Sequence, residues 1–143
     1  MKPEELQIDD LVYAVPIKKN VRVVAIDGDK IAYVELDIYD CIIYWVPCTD
    51  IKPIMISDEI LDKNGFTLVS KSYNHKVFEF RQDYNVFIQI TFYFKDYSII
   101  VKIEKYNFES KYYMNNLHNC DIKYIHQLQH AMKLCGINKE IEL

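Results

Sequence analysis

The chain has 143 residues, of which half are hydrophobic and 27% are charged, and its formal net charge is −4. This composition is globular rather than disordered, and the length fits one ordinary domain or two very small ones. Glycine occurs only three times, which excludes a glycine-rich phosphate loop. Tyrosine occurs twelve times, and because it suits half-buried pleated surfaces, the composition favours sheet.

The charge is distributed unevenly along the chain. Residues 1–57 contain 6 Lys/Arg and 10 Asp/Glu, a net charge of −4, whereas residues 58–143 contain 11 of each. Neither part has the basic excess that neutralises phosphates in non-specific nucleic-acid binding. The net charge therefore disfavours a nucleic-acid partner and favours a protein partner, while a local basic patch stays open.

The N-terminal residues Met1–Glu5 are acidic and lack an apolar core, so we expect no secretory signal. The longest uncharged apolar stretch, Cys41–Cys48, is far shorter than the roughly 20 residues of a membrane-spanning helix. We therefore expect a cytoplasmic protein without membrane association. Its four cysteines should be reduced thiols in that compartment: Cys41, Cys48, Cys120 and Cys135.

Residues 1–56 contain short strands separated by turns, which predicts a small, strongly bent barrel. The strongest signal is Val21–Leu36, where two β-branched runs flank an Asp-Gly dipeptide. That dipeptide tolerates the positive φ of a type I′ turn, so a hairpin is predicted. Leu11–Val15 and Cys41–Val46 are further predicted strands, each ended by a proline, which cannot donate to a strand ladder.

Residues 57–143 are predicted to form an α+β part. Ser57 can cap a short helix over residues 58–64. Four strands then follow as an antiparallel meander, over residues 66–70, 76–81, 85–94 and 97–104. Their alternation makes one face of the sheet apolar and the other mixed.

A C-terminal helix, Ile122–Cys135, is expected to cover the apolar face of this sheet. Asp121 can cap the helix, and Gly136 supplies a left-handed stop. Five apolar residues form one stripe at three- and four-residue spacing: Ile122, Ile125, Leu128, Met132 and Cys135. Residues 139–143 are predicted as a short final strand, and residues 105–120 are not assigned. The fold class is thus α+β and β-rich: a small barrel, then a four-stranded antiparallel meander covered by a C-terminal helix.

The metal-binding candidates are weak. His126 and His130 are four residues apart and share a helix face, with His118 and Cys120 just upstream. No acidic or thiol ligand lies between the two histidines, so a solvated polar face is the favoured interpretation. No metal or other cofactor is predicted. Cys41 and Cys48, separated by six residues, do not have the spacing of a zinc knuckle and are interpreted as structural.

Aromatic side chains are the candidate binding residues. Tyr39, Tyr44 and Trp45 lie on or beside one strand of the barrel, and small barrels often bind peptides or single-stranded nucleic acid on aromatic platforms. Neighbouring strand residues face opposite ways, so at most one of Tyr44 and Trp45 belongs to the core. A second aromatic run is either an interaction patch or an unrecognised strand: Tyr106, Phe108, Tyr112 and Tyr113.

Five stretches carry a resemblance to a known group of proteins: Leu6–Val12, Asp50–Ile54, Glu59–Phe66, Ile125–Gln129 and Glu140–Leu143. In these the chain resembles small proteins encoded by phages, prophages and mobile elements of gut anaerobes. The resemblance implies an SH3-like N-terminal part, an α+β C-terminal part and a bacterial host cell. No activity is assigned to the group, so no catalytic residue is carried over.

Three functions from different classes follow as hypotheses. The favoured one is a non-enzymatic phage or mobile-element accessory protein that acts by protein–protein interaction. The alternative is nucleic-acid binding through the SH3-like part, with a local patch formed by Lys18, Lys19, Arg22 and Lys30. The second alternative is a small metal-binding protein or enzyme. No catalytic residue is proposed.

Overall fold

The computed structural model describes residues 1–36, 42–82, 86–107 and 112–143, and the side chains of all of these except residues 105–119. These residues form two compact units. Unit 1 comprises Met1–Met55 and Tyr124–His126, and unit 2 comprises Ile56–Lys123 and Gln127–Leu143. Each unit contains an antiparallel sheet of five strands. The prediction of a β-rich α+β chain with antiparallel sheets is therefore confirmed.

The sheet of unit 1 has the strand order β4-β3-β2-β1-β5. A 3₁₀ turn, Cys48–Asp50, connects β4 to β5 along the chain. In the part of the chain that the structure describes, β4 and β5 are open edges, so the predicted closure into a barrel is not confirmed. The strands are β1 (Leu11–Ala14), β2 (Lys19–Asp27), β3 (Lys30–Glu35), β4 (Tyr44–Pro47) and β5 (Ile51–Pro53).

The predicted hairpin is formed by β2 and β3, but its turn is of a different type. Asp27 pairs with Lys30 across the turn, which makes Gly28 and Asp29 the central residues. Only Gly28, the first of them, has a positive φ, of 57°. That is the signature of a type II′ turn, in which glycine occupies the first central position, rather than of the type I′ turn predicted from Asp-Gly.

Unit 2 contains a meander of five strands in the order β10-β9-β8-β7-β6, one more than predicted. The additional strand lies in the segment that the sequence left unassigned. Its pairing with β9 shifts register twice, and such bulges break the two-residue repeat by which a strand is recognised. The strands are β6 (Thr67–Lys71), β7 (His75–Gln82), β8 (Val86–Tyr93), β9 (Ile99–Asn107) and β10 (Tyr112–Asp121).

The second aromatic run of the sequence belongs to this sheet. Tyr106 lies on β9, and Tyr112 and Tyr113 lie on β10, where they pair with Asn107 and Tyr106. The location of these three residues on strands is therefore confirmed; the core contacts expected with it concern side chains outside the described part. Phe108 lies outside the described residues.

The sheet of unit 2 has one apolar and one mixed face, as predicted. Phe78, Ile90 and Val101 are in register on adjacent strands and are buried. On the opposite face, Glu79 accepts a hydrogen bond from Gln89 at 3.0 Å. Segments that flank the meander cover part of the apolar face at Phe80. The ring centre of Phe66 lies 5.3 Å from the ring centre of Phe80. The Lys139 ammonium lies 4.5 Å from the same ring centre.

The C-terminal helix α2 spans Ile125–Leu134, shorter at its N-terminus than predicted. Asp121 ends β10 and accepts a hydrogen bond from the Ile99 amide at 3.4 Å, so its predicted role as helix cap is wrong. All five residues of the predicted apolar stripe are buried. Gly136 has a φ of 67° and ends the helix as expected. Within the described residues, no helix combines enough length with enough apolar character to cross a membrane.

The predicted final strand at residues 139–143 is not formed, and a side chain takes the place of a strand partner. Helix α1 (Asp58–Lys63) begins at Ser57, whose hydroxyl accepts from the Ile60 amide as predicted. Asn64 follows it and is buried. Its amide group donates to the Glu142 carbonyl at 2.8 Å and its oxygen accepts from the Glu142 amide at 2.9 Å. The backbone of Glu142 therefore has both of its hydrogen bonds satisfied without a sheet.

Replacing Asn64 with alanine removes both of these bonds and a third, from the Asn64 amide group to the Ile60 carbonyl. We expect the free energy of unfolding to fall by about 2–4 kcal/mol, since each bond contributes about 1 kcal/mol and partly buried backbone groups lose their partner. Urea unfolding followed by circular dichroism measures the change. Asn20→Ala, at an exposed position of β2, is the matched control and should change stability by less than about 0.5 kcal/mol. Equal stability of the two variants would contradict this role.

Candidate functional site

Two of the three predicted binding residues lie on the open edge of unit 1, and the third, Tyr39, lies outside the described residues. Tyr44 and Trp45 begin β4, which among the described strands pairs only with β3. Tyr44 lies opposite Tyr33, and Trp45 lies opposite Ala32. The backbone of β3 therefore determines what each of the two side chains can contact.

Tyr44 and Trp45 face opposite sides of the sheet, as the alternation predicted. The ring of Tyr44 stacks on the ring of Tyr33, with centroids 5.6 Å apart and an interplanar angle of 27°, and Val46 packs against the core of unit 1. Trp45 points the other way, beside Ala32. A methyl group is too small to cover an indole, and Trp45 remains 52% exposed.

Two isoleucines extend this exposed surface. Ile42 and Ile43 precede β4 and are 53% and 55% exposed. We call Ile42, Ile43, Tyr44 and Trp45 together the strand patch. Four consecutive exposed apolar residues beside an unpaired strand edge are typical of an interaction site, because both the side chains and the backbone hydrogen-bonding groups lack a cover. The sequence indicated the two aromatics, but it placed both isoleucines inside a strand.

Unit 1, which carries the strand patch, has an excess of acidic residues, with 6 Lys/Arg and 10 Asp/Glu. Of the four basic residues proposed for nucleic-acid binding, Lys19 forms an ion pair with Glu35 at 2.5 Å, and Lys30 lies opposite Asp27 in the hairpin. The carboxylates of Glu35 and Asp27 reduce the positive charge that Lys19 and Lys30 could offer to phosphates. The nucleic-acid hypothesis for this unit stays a prediction.

The one described thiol of unit 1 is a poor nucleophile. Cys48 is buried, and burial raises the pKa of its thiol above the ordinary value. A raised pKa keeps the group protonated at neutral pH, whereas nucleophilic attack and metal binding need the thiolate. Burial likewise raises the pKa of the Tyr33 phenol, with a further contribution from the Glu35 carboxylate.

The two helical histidines do not form a solvated face. His126 is only 3% exposed, and its ring stacks on that of Tyr124 with an interplanar angle of 9°. The prediction of a solvated position is therefore wrong for His126. The helix begins at Ile125, whose amide donates a hydrogen bond to the Ile54 carbonyl. The first residues of the helix, up to His126, therefore belong to unit 1. The side chain of His118 lies outside the described part. Within that part, no three potential ligands are grouped as a metal site.

A second exposed surface, which the sequence did not indicate, lies at one end of the sheet of unit 2. There the turn between β6 and β7 meets the turn between β8 and β9, and the Phe94 amide donates to the Asn74 carbonyl at 2.9 Å. We call the four aromatic residues in or directly beside these turns the aromatic tip: Tyr73, Tyr93, Phe94 and Tyr97. Tyr73 and Tyr97 are 91% and 84% exposed. Their position beside turn residues was the only signal available in the sequence.

The fold and these surfaces define a protein of two antiparallel-sheet units, each of which exposes an aromatic surface. In comparisons with known proteins, no family model, no curated protein and no solved structure matches the chain.

Trp45 is the only tryptophan of the chain, so tryptophan fluorescence, excited at a wavelength that the twelve tyrosines do not absorb, reports on the strand patch alone. We expect an emission maximum close to that of a solvated indole, because about half of the side chain is exposed. Since unit 1 has an excess of carboxylates, caesium ions should quench the emission more strongly than iodide at equal ionic strength, when each ion is compared with its quenching of free tryptophan. Emission at the wavelength of a buried indole, or a relative preference for quenching by iodide, would contradict the description of the patch.

Proposed function

We propose that the protein is a non-enzymatic interaction module whose unit 1 binds an extended, positively charged segment of a partner protein along β4. The observation that carries this proposal is the exposed Trp45 on β4, which is an edge strand among the described strands of an acidic unit and is preceded by the exposed Ile42 and Ile43. An extended segment would add a strand to the sheet, with backbone hydrogen bonds for affinity and alternate side chains for specificity. The excess of carboxylates favours lysine or arginine in that segment.

The size of the strand patch supports an extended segment over a large folded partner. Its four side chains offer on the order of 400 Å², if a large side chain presents roughly 150–250 Å² and about half of it is exposed. A stable interface between folded proteins buries about 800 Å² on each partner. The patch is therefore too small by itself, whereas strand addition supplements apolar burial with main-chain hydrogen bonds.

The topology of unit 1 supports the assignment of an SH3-like module. Five short antiparallel strands follow one another, a 3₁₀ turn precedes β5, and β5 pairs with β1. That connection places the first and last strands side by side, as in a small SH3-like barrel. The resemblance to phage and mobile-element proteins adds the proposal that the partner is encoded by the same element or by its bacterial host.

A synthetic peptide that alternates valine with lysine is a direct probe of the proposed site. We expect its addition to shift the Trp45 emission to shorter wavelength, because strand addition along β4 removes the indole from water. With a labelled peptide, Trp45→Ala should weaken binding about 30-fold or more, the effect of a central aromatic contact. Fluorescence titration and anisotropy measure the two effects.

Two controls make the result specific. The same peptide with glutamate in place of lysine should bind at least tenfold more weakly, because unit 1 is acidic. Ile8→Ala removes an equally exposed apolar side chain elsewhere in unit 1 and should leave the affinity unchanged. Equal binding of both peptides, or binding that Trp45→Ala does not weaken, would refute the proposal.

A further inference from the structure

The two turns that carry the aromatic tip of unit 2 are held by hydrogen bonds between short polar side chains and the backbone. The Ser72 hydroxyl accepts from the amides of Asn74 and His75, at 3.2 Å and 3.1 Å. In the facing turn, the amide and the hydroxyl of Ser98 donate to the Asp96 carboxylate at 3.2 Å and 2.8 Å. Both turns are therefore ordered before any ligand arrives, which lowers the entropic cost of binding.

Tyr97 is kept in an unfavourable conformation with its ring in solvent. Its φ is 55°, in the left-handed region that costs a bulky side chain energy and that glycine or asparagine adopts more readily. The ring is 84% exposed, so packing within unit 2 does not explain why a large residue occupies this position. A strained residue that displays an aromatic ring to water is typical of a binding site.

The tip also carries a small excess of positive charge. Lys71, Lys95 and Asp96 lie in or beside its turns. Asp121, which bonds to Ile99 next to the second turn, forms an ion pair with Lys123 at 3.8 Å. Both carboxylates accept hydrogen bonds from the tip itself, Asp96 from Ser98 and Asp121 from the Ile99 amide. Among the described residues, neither Lys71 nor Lys95 has a carboxylate partner. Two ammonium groups are thus available to a ligand in a chain whose net charge is −4.

We propose that the aromatic tip binds single-stranded nucleic acid. Tyr73 and Tyr97 are so exposed that both faces of each ring can stack on bases, and stacking on aromatic rings is the main sequence-tolerant contact with unpaired strands. Lys71 and Lys95 are placed to contact phosphates. Lysine is depleted in protein–protein interfaces, so rings flanked by free lysines fit a nucleic acid better than a protein surface.

This function is separate from the proposed function of unit 1 and is recognised by its salt dependence and by its preference for unpaired strands. Two phosphate contacts, from Lys71 and Lys95, predict a weak dependence on salt, with a slope of about −1.4 in log K against log salt. Duplex DNA should bind more weakly, because its bases are already stacked and paired. The ligand class is thus an unpaired strand with little base specificity.

Anisotropy of a labelled strand of about twelve thymidines, a length within the usual site sizes, tests the proposal at ~50 mM salt. We expect a dissociation constant between about 10⁻⁴ and 10⁻⁶ M. Tyr73→Ala and Tyr97→Gly should each weaken binding by about 5- to 100-fold, the effect of losing one stacked base. Lys95→Ala should reduce the salt slope by about 0.7.

The controls separate this site from folding effects and from the strand patch. Glycine accepts the left-handed backbone of residue 97, so Tyr97→Gly should have a melting temperature equal to or above that of the parent chain. Trp45→Ala should not change oligonucleotide binding. The proposal is refuted if the strand does not bind at protein concentrations up to about 10⁻⁴ M, if duplex binds equally well, or if both tyrosine variants keep full affinity.

Discussion

The two-residue repeat of the β-strand is the constraint on which the rest of this structure depends. Because successive side chains point to opposite faces, burying one face of a strand leaves the intervening residues outside the core. In unit 2 this alternation buries Ile88 and Ile90 and leaves Gln89 on the mixed face. In unit 1 it stacks Tyr44 on Tyr33 and turns Trp45 away. The core and the exposed surface are therefore fixed by the same register.

Among the described strands, each sheet ends in edge strands that pair on one side only, and these edges differ in their pairing. In unit 2, β6 carries a bulge between Leu68 and Ser70, and a bulge hinders the addition of a further strand. In unit 1, β4 is short and ends in Pro47, yet it presents the strand patch at its beginning. β6 also exposes Leu68 and Val69, but its pairing is irregular, whereas the pairing of β4 with β3 has no register shift. This difference is the reason that we propose β4, rather than β6, for partner binding.

The aromatic tip illustrates how a turn can combine rigidity with exposure. Hydrogen bonds from serine hydroxyls and amides fix both turns of the tip, so the rings do not need packing to hold their backbone in position. Tyrosine supplies a large amphipathic surface with few rotatable bonds, which keeps the cost of immobilising it low. The strain at Tyr97 is supported by this network. Exposed rings on a fixed frame are suited to stacking contacts.

The sequence by itself determined those features that follow from local pattern. The hairpin around Gly28, the Ser57 cap, the Gly136 stop and the buried stripe of α2 were all predicted correctly, because each depends on residues close together along the chain. For the candidate site, it indicated the aromatics of β4 and their opposite orientations, since these too follow from a two-residue repeat.

Only the tertiary structure decided the features that depend on distant partners. β10 exists because β9 pairs with it despite two register shifts, the C-terminal tail remains irregular because Asn64 bonds to Glu142, and His126 is buried because its turn belongs to unit 1. The aromatic tip likewise arises where two turns far apart in sequence meet through the Phe94 amide. A local pattern states which conformations a segment prefers, but burial and pairing depend on what the rest of the chain brings beside it.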